Sequence, residues 1–345
     1  MDFKEYSSLF EDKAIKNGYP EQVVKEYLSY AENLFNKNLP IIYDVRHFAG
    51  IVGYSTKYIV RAVTYTKYFY RTFKIAKKNG KKRVINEPLP SLKEIQLWIN
   101  LNLLSKVKPS KFAKAYIRNK NTVDNAKYHK NKKYVLCLDL KDFFPSISLK
   151  TIELFFKSLG YTNELANLFA KLCCFDNYLA QGAPTSPTLS NLILRDFDEY
   201  VGNFAVDNNL RYTRYADDIT ISYNDEFDSN LIITYILNGL KLIKHSNLLL
   251  NTKKTQLLTP NKRQIVTGIV TNEKLQAPIT YRKQIRLEIY FIKKFGLTSH
   301  LNKINETRSN YLYHLLGKIN YCISINPSDK LLKNYRDIVI ALINN

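Results

Sequence analysis

The sequence predicts an α+β fold, and three observations carry that prediction. Short strand-like runs occur at 71–90, 134–138 and 211–223, without the regular alternation with helices that a parallel βαβ sheet needs. Two of these runs meet acidic residues, Asp139 in one and Asp217 with Asp218 in the other. The last stretch, 281–345, is basic and mostly helical in its apolar spacing.

Residues 1–40 are polar and helix-prone, end near Pro40 and read as an N-terminal appendage. From Ile41 to Tyr70 aromatics and cations recur at spacings of three and four, which predicts a helix. Residues 71–90 alternate around Asn79-Gly80, the signature of a hairpin turn, and Pro88 and Pro90 stop the second strand. Ser91, with Glu94 three residues on, reads as the N-cap of the next helix. Tyr134 to Leu138 is an apolar run suited to a buried strand that ends in acidic residues. Helix is expected over 149–175, a turn-rich loop follows, and a further helix is expected over 191–204. Two short strands flank Ala216-Asp217-Asp218, a helix is expected at about 229–246, and LLLNTKKTQLL and RQIVTGIV are strand-like. Nothing repeats at the period of a solenoid or propeller.

Composition narrows the function. The chain has 345 residues, 45% apolar and 13% aromatic, enough to bury a large core in two or three packed units. With 52 Lys and Arg against 30 Asp and Glu, the formal charge is +22, which asks for a polyanionic partner. Lys and Asn are both abundant, so part of that excess can reflect genome bias; nucleic acid is still favoured over a merely solvated basic surface. No long basic amphipathic segment points to a membrane surface, and no run approaches the about 18 apolar residues of a spanning helix. The N-terminus mixes both charges and lacks the apolar centre of a secretory signal, so a cytoplasmic location is expected. Cys137, Cys173, Cys174 and Cys322 show no metal-binding spacing and read as buried thiols.

The acids carry the chemistry. Asp139 directly follows the apolar Val135–Leu138, and Asp217 and Asp218 lie between Tyr215-Ala216 and Ile219-Thr220-Ile221. An Asp-Asp pair in a turn is ordinarily a solvated turn. Two acidic turns, each beside a buried strand in a very basic chain, are not ordinary. Converging carboxylates would hold divalent ions about 3.5–4 Å apart, an arrangement used for phosphoryl transfer.

These residues carry a resemblance. Tyr215-Ala216-Asp217-Asp218 resembles the YxDD signature of reverse transcriptases. The LDLKDFFPSI segment around Asp139 and Phe144 resembles the family's first catalytic block. Gln181 to Pro187, followed by Leu189 and Asn191, resembles its QGxxxSP block. The blocks stand in the family's order, with a basic hairpin before and LNTKKT after, over about residues 45–345. Asn125-Ala126-Lys127-Tyr128-His129 resembles the NAxxH element of bacterial retron enzymes, and Val266-Thr267-Gly268 their VTG element.

The resemblance implies a right-hand polymerase with fingers, a palm of antiparallel sheet backed by helices, and a helical thumb. Residues 1–45 would be a helical extension, 46–272 fingers and palm, and 273–345 an RNA-binding thumb. Asp139, Asp217 and Asp218 would bind two Mg²⁺ ions, with Asp142 a weaker candidate. Lys254 would protonate departing pyrophosphate, with Lys253 its neighbouring rival. Arg83 would clamp the triphosphate, with Lys82 or Lys81 nearby. Gln181 and Gly182 would lie against the incoming nucleotide, and Phe144 would exclude a ribose 2′-OH or simply pack the core. Asn125, His129, Val266, Thr267 and Gly268 would serve RNA recognition, together with thumb cations Arg282, Lys283, Arg286, Lys293, Lys294 and Lys303. Tyr281, Tyr290, Tyr311 and Tyr313 would stack on bases or pack the helical core, with packing the larger share for most of them.

The implied reaction starts at an internal guanosine 2′-OH of a structured noncoding RNA, which is both primer and template. It consumes dNTPs and yields a branched RNA–DNA hybrid. A separately encoded effector and a role in defence against phage are also implied. A group II intron-like enzyme and a catalytically silent RNA-binding scaffold are the alternatives; 345 residues leave no room for maturase or endonuclease regions.

Overall fold

The computed structural model describes residues 2–76, 80 and 82–344. Asn79 of the expected turn and Lys81 therefore lie outside the described residues. In chain order come helices α1 (Phe3–Lys16), α2 (Glu21–Asn36), α3 (Val45–Val52) and α4 (Thr56–Thr64), then strands β1 (Tyr70–Ala76) and β2 (Lys82–Pro88). Next are α5 (Pro90–Asn102), α6 (Thr122–Tyr128), β3 (Tyr134–Lys141), α7 (Leu149–Leu159), α8 (Asn163–Cys173), β4 (Cys174–Phe175) and β5 (Tyr178–Leu179). They are followed by α9 (Ser186–Ile193), α10 (Arg195–Asp207), β6 (Arg211–Tyr215), β7 (Asp218–Tyr223), α11 (Ser229–Leu240), β8 (Leu249–Leu250) and β9 (Gln256–Leu258). A hairpin, β10 (Ile265–Val266) and β11 (Ile269–Val270), precedes α12 (Ile279–Phe295), α13 (Leu297–Lys303), α14 (Tyr311–Ile325) and α15 (Lys330–Asn344). The mix of helices and antiparallel strands is the expected α+β architecture. Among the described residues no helix is long and apolar enough to cross a membrane.

The chain forms two compact units. The first comprises Met1–Lys111, Leu140–Tyr200 and Thr234–Leu250, and the second Phe112–Asp139, Val201–Ile233 and Asn251–Asn345.

In the first unit, β1 and β2 pair antiparallel from Tyr70 opposite Pro88 to Ala76 opposite Lys82. Pro88 closes the ladder and Pro90 opens α5 at its first turn, where a missing N–H is harmless. This corrects the expected cap: Ser91 lies inside the helix, and the N-cap Leu89 makes no side-chain bond. Glu94 instead accepts from the Tyr54 hydroxyl at 2.6 Å. The helix expected over 149–175 breaks at Gly160, which has φ +112 and whose Cβ would lie 2.4 Å from Asn33 Nδ2. Its two halves pack around Phe169, which meets Phe48, Phe156 and Tyr161 at centroid distances of 5.1, 5.5 and 5.1 Å. The first forty residues belong to this unit. The Tyr161 hydroxyl donates to Pro40 O at 3.0 Å and Lys37 Nζ to Leu159 O at 3.0 Å.

In the second unit, β6 pairs with β7, β7 with β3, and β9 with β3, all antiparallel. The last two residues of β3, Leu140 and Lys141, pair with β8 within the first unit. One apolar core runs from Ala126 and Val135 through Val266 and Ile269 to Ile285, Ile289, Leu315, Ile319 and Val339. Helix α6, the β10–β11 hairpin and helices α12 to α15 therefore share a single buried interior with β3.

Candidate active site

The two acidic segments meet because their strands are neighbours. β3 and β7 pair from Tyr134 opposite Tyr223 to Asp139 opposite Asp218. Tyr215 pairs with Asp218 across β6 and β7, so Ala216 and Asp217 form a two-residue turn at the end of the same ladder. Val135, Leu136 and Leu138 are buried on both faces of β3, so the strand that carries Asp139 runs through the packed interior. The packing of β3 thus delivers the acids to one sheet end.

Asp139 is only 6% exposed and is held from three directions. Asn251 N donates to its carbonyl oxygen at 2.8 Å, Asn251 Nδ2 to its Oδ1 at 3.0 Å, and Lys254 Nζ to its Oδ2 at 2.6 Å. A short 3₁₀ turn, Thr252–Lys254, brings that ammonium round. The Asp139 carboxylate raises the Lys254 pKa by accepting its hydrogen bond, and the charges of Asp217 and Asp218 add to the effect. Asp218 is pushed up to about 6, first by the protein around it, then by Asp217 and Asp139, with Lys254 opposing. Asp218 is itself exposed, which tempers this. A cavity of about 270 Å³ opens beside the acids, lined by Asp139, Asp218 and Lys254 with Cys137, Gln256 and Arg263.

Among the described residues no group of three or more carboxylates, imidazoles or thiols is gathered closely enough to hold a metal ion. The donor set nevertheless fits hard divalent cations. Its oxygens are carboxylates, and the raised Asp218 pKa registers a negative charge that one lysine leaves only partly balanced. Lys254, not Lys253, is the lysine paired with Asp139. Asp142 is exposed in a turn with φ +46, and its carbonyl accepts from Ser146 N at 2.9 Å.

The residues assigned to nucleotide binding lie in the first unit. Asn86 N on β2 donates to Gln181 O at 2.9 Å. Gly182 has φ +131, and a Cβ there would sit 2.8 Å from Asn86 O and 2.9 Å from Ile85 Cγ2. Only glycine allows that approach. Strand alternation places Arg83 on the same face of β2 as Ile85, the side chain that a Gly182 Cβ would meet, and Lys82 on the other. Phe144 is half-buried, and its ring lies 5.2 Å from that of Phe143, which is buried at 6% exposure.

The two short elements assigned to RNA recognition meet in the second unit. Asn125 and His129 have no exposed surface, so their side chains do not reach RNA directly in this structure. They tie α6 to the sheet instead. The Thr213 hydroxyl donates to Asn125 Oδ1 at 2.6 Å, so its oxygen accepts from His129 Nε2–H at 2.7 Å. His129 Nδ1 is left to accept from the Ser222 hydroxyl at 2.7 Å. Burial lowers the His129 pKa to about 3, with Arg211 and Lys114 adding to the effect, and keeps the ring neutral. Val266 belongs to the core, while Thr267 (φ +46) and Gly268 (φ +83) form the turn of the β10–β11 hairpin. Thr267 Oγ1 donates to Thr122 O, the first residue of α6, at 3.3 Å. On the helical segment Tyr290 and Tyr313 are exposed, Tyr281 is half-buried and Tyr311 is buried. Sequence reading passed over Asn251, the second partner of the Asp139 carboxylate; its place just before the Lys253-Lys254 pair was the available signal.

The family model for reverse transcriptase (RNA-dependent DNA polymerase) matches residues 75–312. The Escherichia coli retron Ec86 reverse transcriptase is 33% identical over 77% of this chain and 83% of its own length. Retron Ec83 reverse transcriptase, from the same organism, is 30% identical over 79% of this chain and 89% of its own. Retron Ec73 reverse transcriptase, also from Escherichia coli, is 34% identical over 64% and 75%. A solved telomerase from Candida albicans shares 11% identity over 79% of this chain and 63% of that one, at a TM-score of 0.46. The ordered motifs, the paired acidic strand ends, the family model and the retron relatives agree: the chain belongs to the reverse transcriptases of the retron type, which are RNA-directed DNA polymerases.

Proposed function

We propose that this enzyme makes a branched RNA–DNA hybrid from its own structured noncoding RNA, extending an internal guanosine 2′-OH with dNTPs. The observation that carries the catalytic part is the register pairing of Asp139 with Asp218, next to Asp217 and bridged to Lys254.

Asp139, Asp217 and Asp218 would hold two Mg²⁺ ions. Such ions lower the pKa of an attacking hydroxyl and stabilise the leaving pyrophosphate. The protein's own groups do the positioning. Asn251 fixes the Asp139 carboxylate by one oxygen, leaving the other to exchange partners. Lys254, released from that second oxygen, carries a proton for the departing pyrophosphate. Arg83 projects from the hairpin strand that backs the Gly182 loop, where a guanidinium can clamp a triphosphate bidentately. Gln181 and Gly182 present close-packed backbone to the base pair being formed, and Phe144 restricts the sugar.

For RNA recognition the buried Asn125 and His129 act as a brace. They hold α6 to the sheet while Thr267 pins the helix start to the β10–β11 turn. Exposed cations of α12, including Lys283, Arg286, Lys293 and Lys294, supply phosphate contacts. A separately encoded effector and a role in defence against phage complete the reading, by analogy with the retron enzymes.

Primer-extension assays with the cognate RNA test it. The double variant Asp217→Asn, Asp218→Asn is expected to abolish DNA synthesis while binding RNA nearly as well as the wild type. The wild-type product is expected to carry a 2′,5′ branch that a debranching nuclease releases. Synthesis persisting in the double variant removes the site; an unbranched product removes the 2′-OH priming.

A further inference from the structure

Among the described residues the largest side chain with no exposed surface is not an aromatic but Arg214. A guanidinium taken out of water is costly unless its donors are used. Arg214 Nη1 donates to the carbonyl oxygen of Ala216, two residues on, at 3.1 Å. The backbone of Arg214 is fixed as well. Its N–H donates to Phe112 O at 3.0 Å, and Lys114 N donates back to Arg214 O at 2.8 Å. Phe112 is held in turn: a Cβ on Gly202 would sit 2.1 Å from its ring, so only glycine lets the helix pass so close.

The carbonyl that Arg214 grips belongs to a strained residue. Ala216 has φ +59, the left-handed region that a residue with a Cβ rarely adopts, and it is 6% exposed. It is the first of the two turn residues between β6 and β7, immediately before Asp217 and Asp218. In such turns a positive φ normally calls for glycine. Here alanine takes the conformation, and a rigid buried donor meets its carbonyl.

We infer that Arg214 is the positioning residue of the catalytic turn: its buried guanidinium holds Ala216 left-handed, and so sets where Asp217 and Asp218 present their carboxylates. The inference rests on the proposal that those two acids do the chemistry. It explains why a charge is buried one residue before Tyr215 and why alanine occupies a place suited to glycine. A flexible ammonium would not serve equally, since only the planar guanidinium presents its donors in a fixed fork.

Arg214→Gln, Arg214→Lys and the double variant Arg214→Gln, Ala216→Gly test this. The readouts are single-nucleotide extension kinetics, thermal unfolding, and Mn²⁺ binding to the free enzyme by electron paramagnetic resonance. Arg214→Gln is expected to lower kcat on the order of 10²-fold, as a small misplacement of reacting groups does, with KM for dNTP nearly unchanged. Mn²⁺ binding is expected to weaken in parallel. Adding Ala216→Gly is expected to restore at least about tenfold of kcat, because glycine adopts the left-handed turn unaided. A folded Arg214→Gln enzyme with wild-type kcat overturns the inference, as does a loss that Ala216→Gly leaves untouched. Should Arg214→Gln not fold, Arg214→Lys with and without Ala216→Gly carries the same comparison. Asp217→Asn, run in parallel, separates the two levels. If it retains synthesis, the site itself is wrong; if it is inactive while Arg214→Gln is normal, only the role of Arg214 falls.

Discussion

Lys254 Nζ lies 2.6 Å from Asp139 Oδ2, the carboxylate oxygen that Asn251 leaves unclaimed. The lysine side chain is 62% exposed and that of Asp139 8%, so a mobile cation sits against a fixed carboxylate. The pair makes Lys254 both a counter-ion and a competitor for any divalent ion at Asp139. Lys254→Met is therefore expected to bind Mn²⁺ more tightly than the wild type in the absence of substrate. It is also expected to incorporate dNTPs about 10²-fold more slowly, the usual scale for losing a positioned proton donor. Lys253→Met, removing the neighbouring lysine that Asp139 does not engage, is expected to change neither. A pre-steady-state burst experiment with both variants checks this, and equal losses in the two would return the assignment to open competition.

Crowded negative charge gives a second expectation, in which stability and activity move oppositely. The surrounding protein and the charges of Asp217 and Asp139 raise the pKa of the exposed Asp218 to about 6, so at neutral pH the folded protein holds a carboxylate it disfavours. A carboxyl raised above its unfolded value makes the fold less stable as pH rises through that window. Asp218→Asn is thus expected to raise the melting temperature at pH 7.5 without divalent ions, to lose this advantage near pH 4, and to be inactive at any pH. Thermal scans at the two pH values check it; an unchanged or lower melting temperature at pH 7.5 would contradict the charge argument.

The Phe144 ring is half-buried beside the buried Phe143, so the neighbouring ring already fills the core and Phe144 is only partly committed to packing. Phe144→Ala is expected to cost little stability, within about 1–2 kcal/mol, below the loss typical of a fully buried ring. It is expected to raise ribonucleotide incorporation relative to deoxyribonucleotide. Competition assays with dNTP and rNTP pairs measure the ratio. A large stability loss with unchanged discrimination would make Phe144 a packing residue.

What the sequence disclosed and what it hid have separate physical reasons. Asp139 was legible because Val135–Leu138 is apolar without a break and an acid follows it directly; the sequence did not show that β3 runs on through a buried Asp139 and Leu140 to Lys141. The hairpin of β1 and β2 and the strand pair around Asp217 were legible for similar local reasons. Gly160 was not read as a break, since the steric need for glycine there comes from Asn33, far away in the chain. Ser91 misled because a capping pattern is a local rule, and Pro90 had already started the helix. His129 is the clearest case: its partners Thr213 and Ser222 lie 84 and 93 residues on, and nothing local distinguishes a braced histidine from an exposed one.

That burial of His129 makes a pH-dependent expectation. Its pKa in the fold is about 3 against about 6.5 when exposed, so below pH 6.5 the unfolded chain binds a proton that the native chain does not. Stability attributable to a neutral ring is full above pH 6.5 and falls as pH drops, by at most about 1.4 kcal/mol per unit. His129→Gln keeps a donor and an acceptor but does not titrate. It is expected to be less stable than the wild type at pH 7.5 by roughly 1–3 kcal/mol, the cost of imperfectly met buried partners. The gap is expected to narrow steadily between pH 6.5 and 4.5. Urea unfolding across that range measures it. A gap that stays constant would mean that the histidine is charged in the fold, and the chain of bonds from Ser222 through Thr213 to Asn125 would have to be redrawn with the opposite proton order.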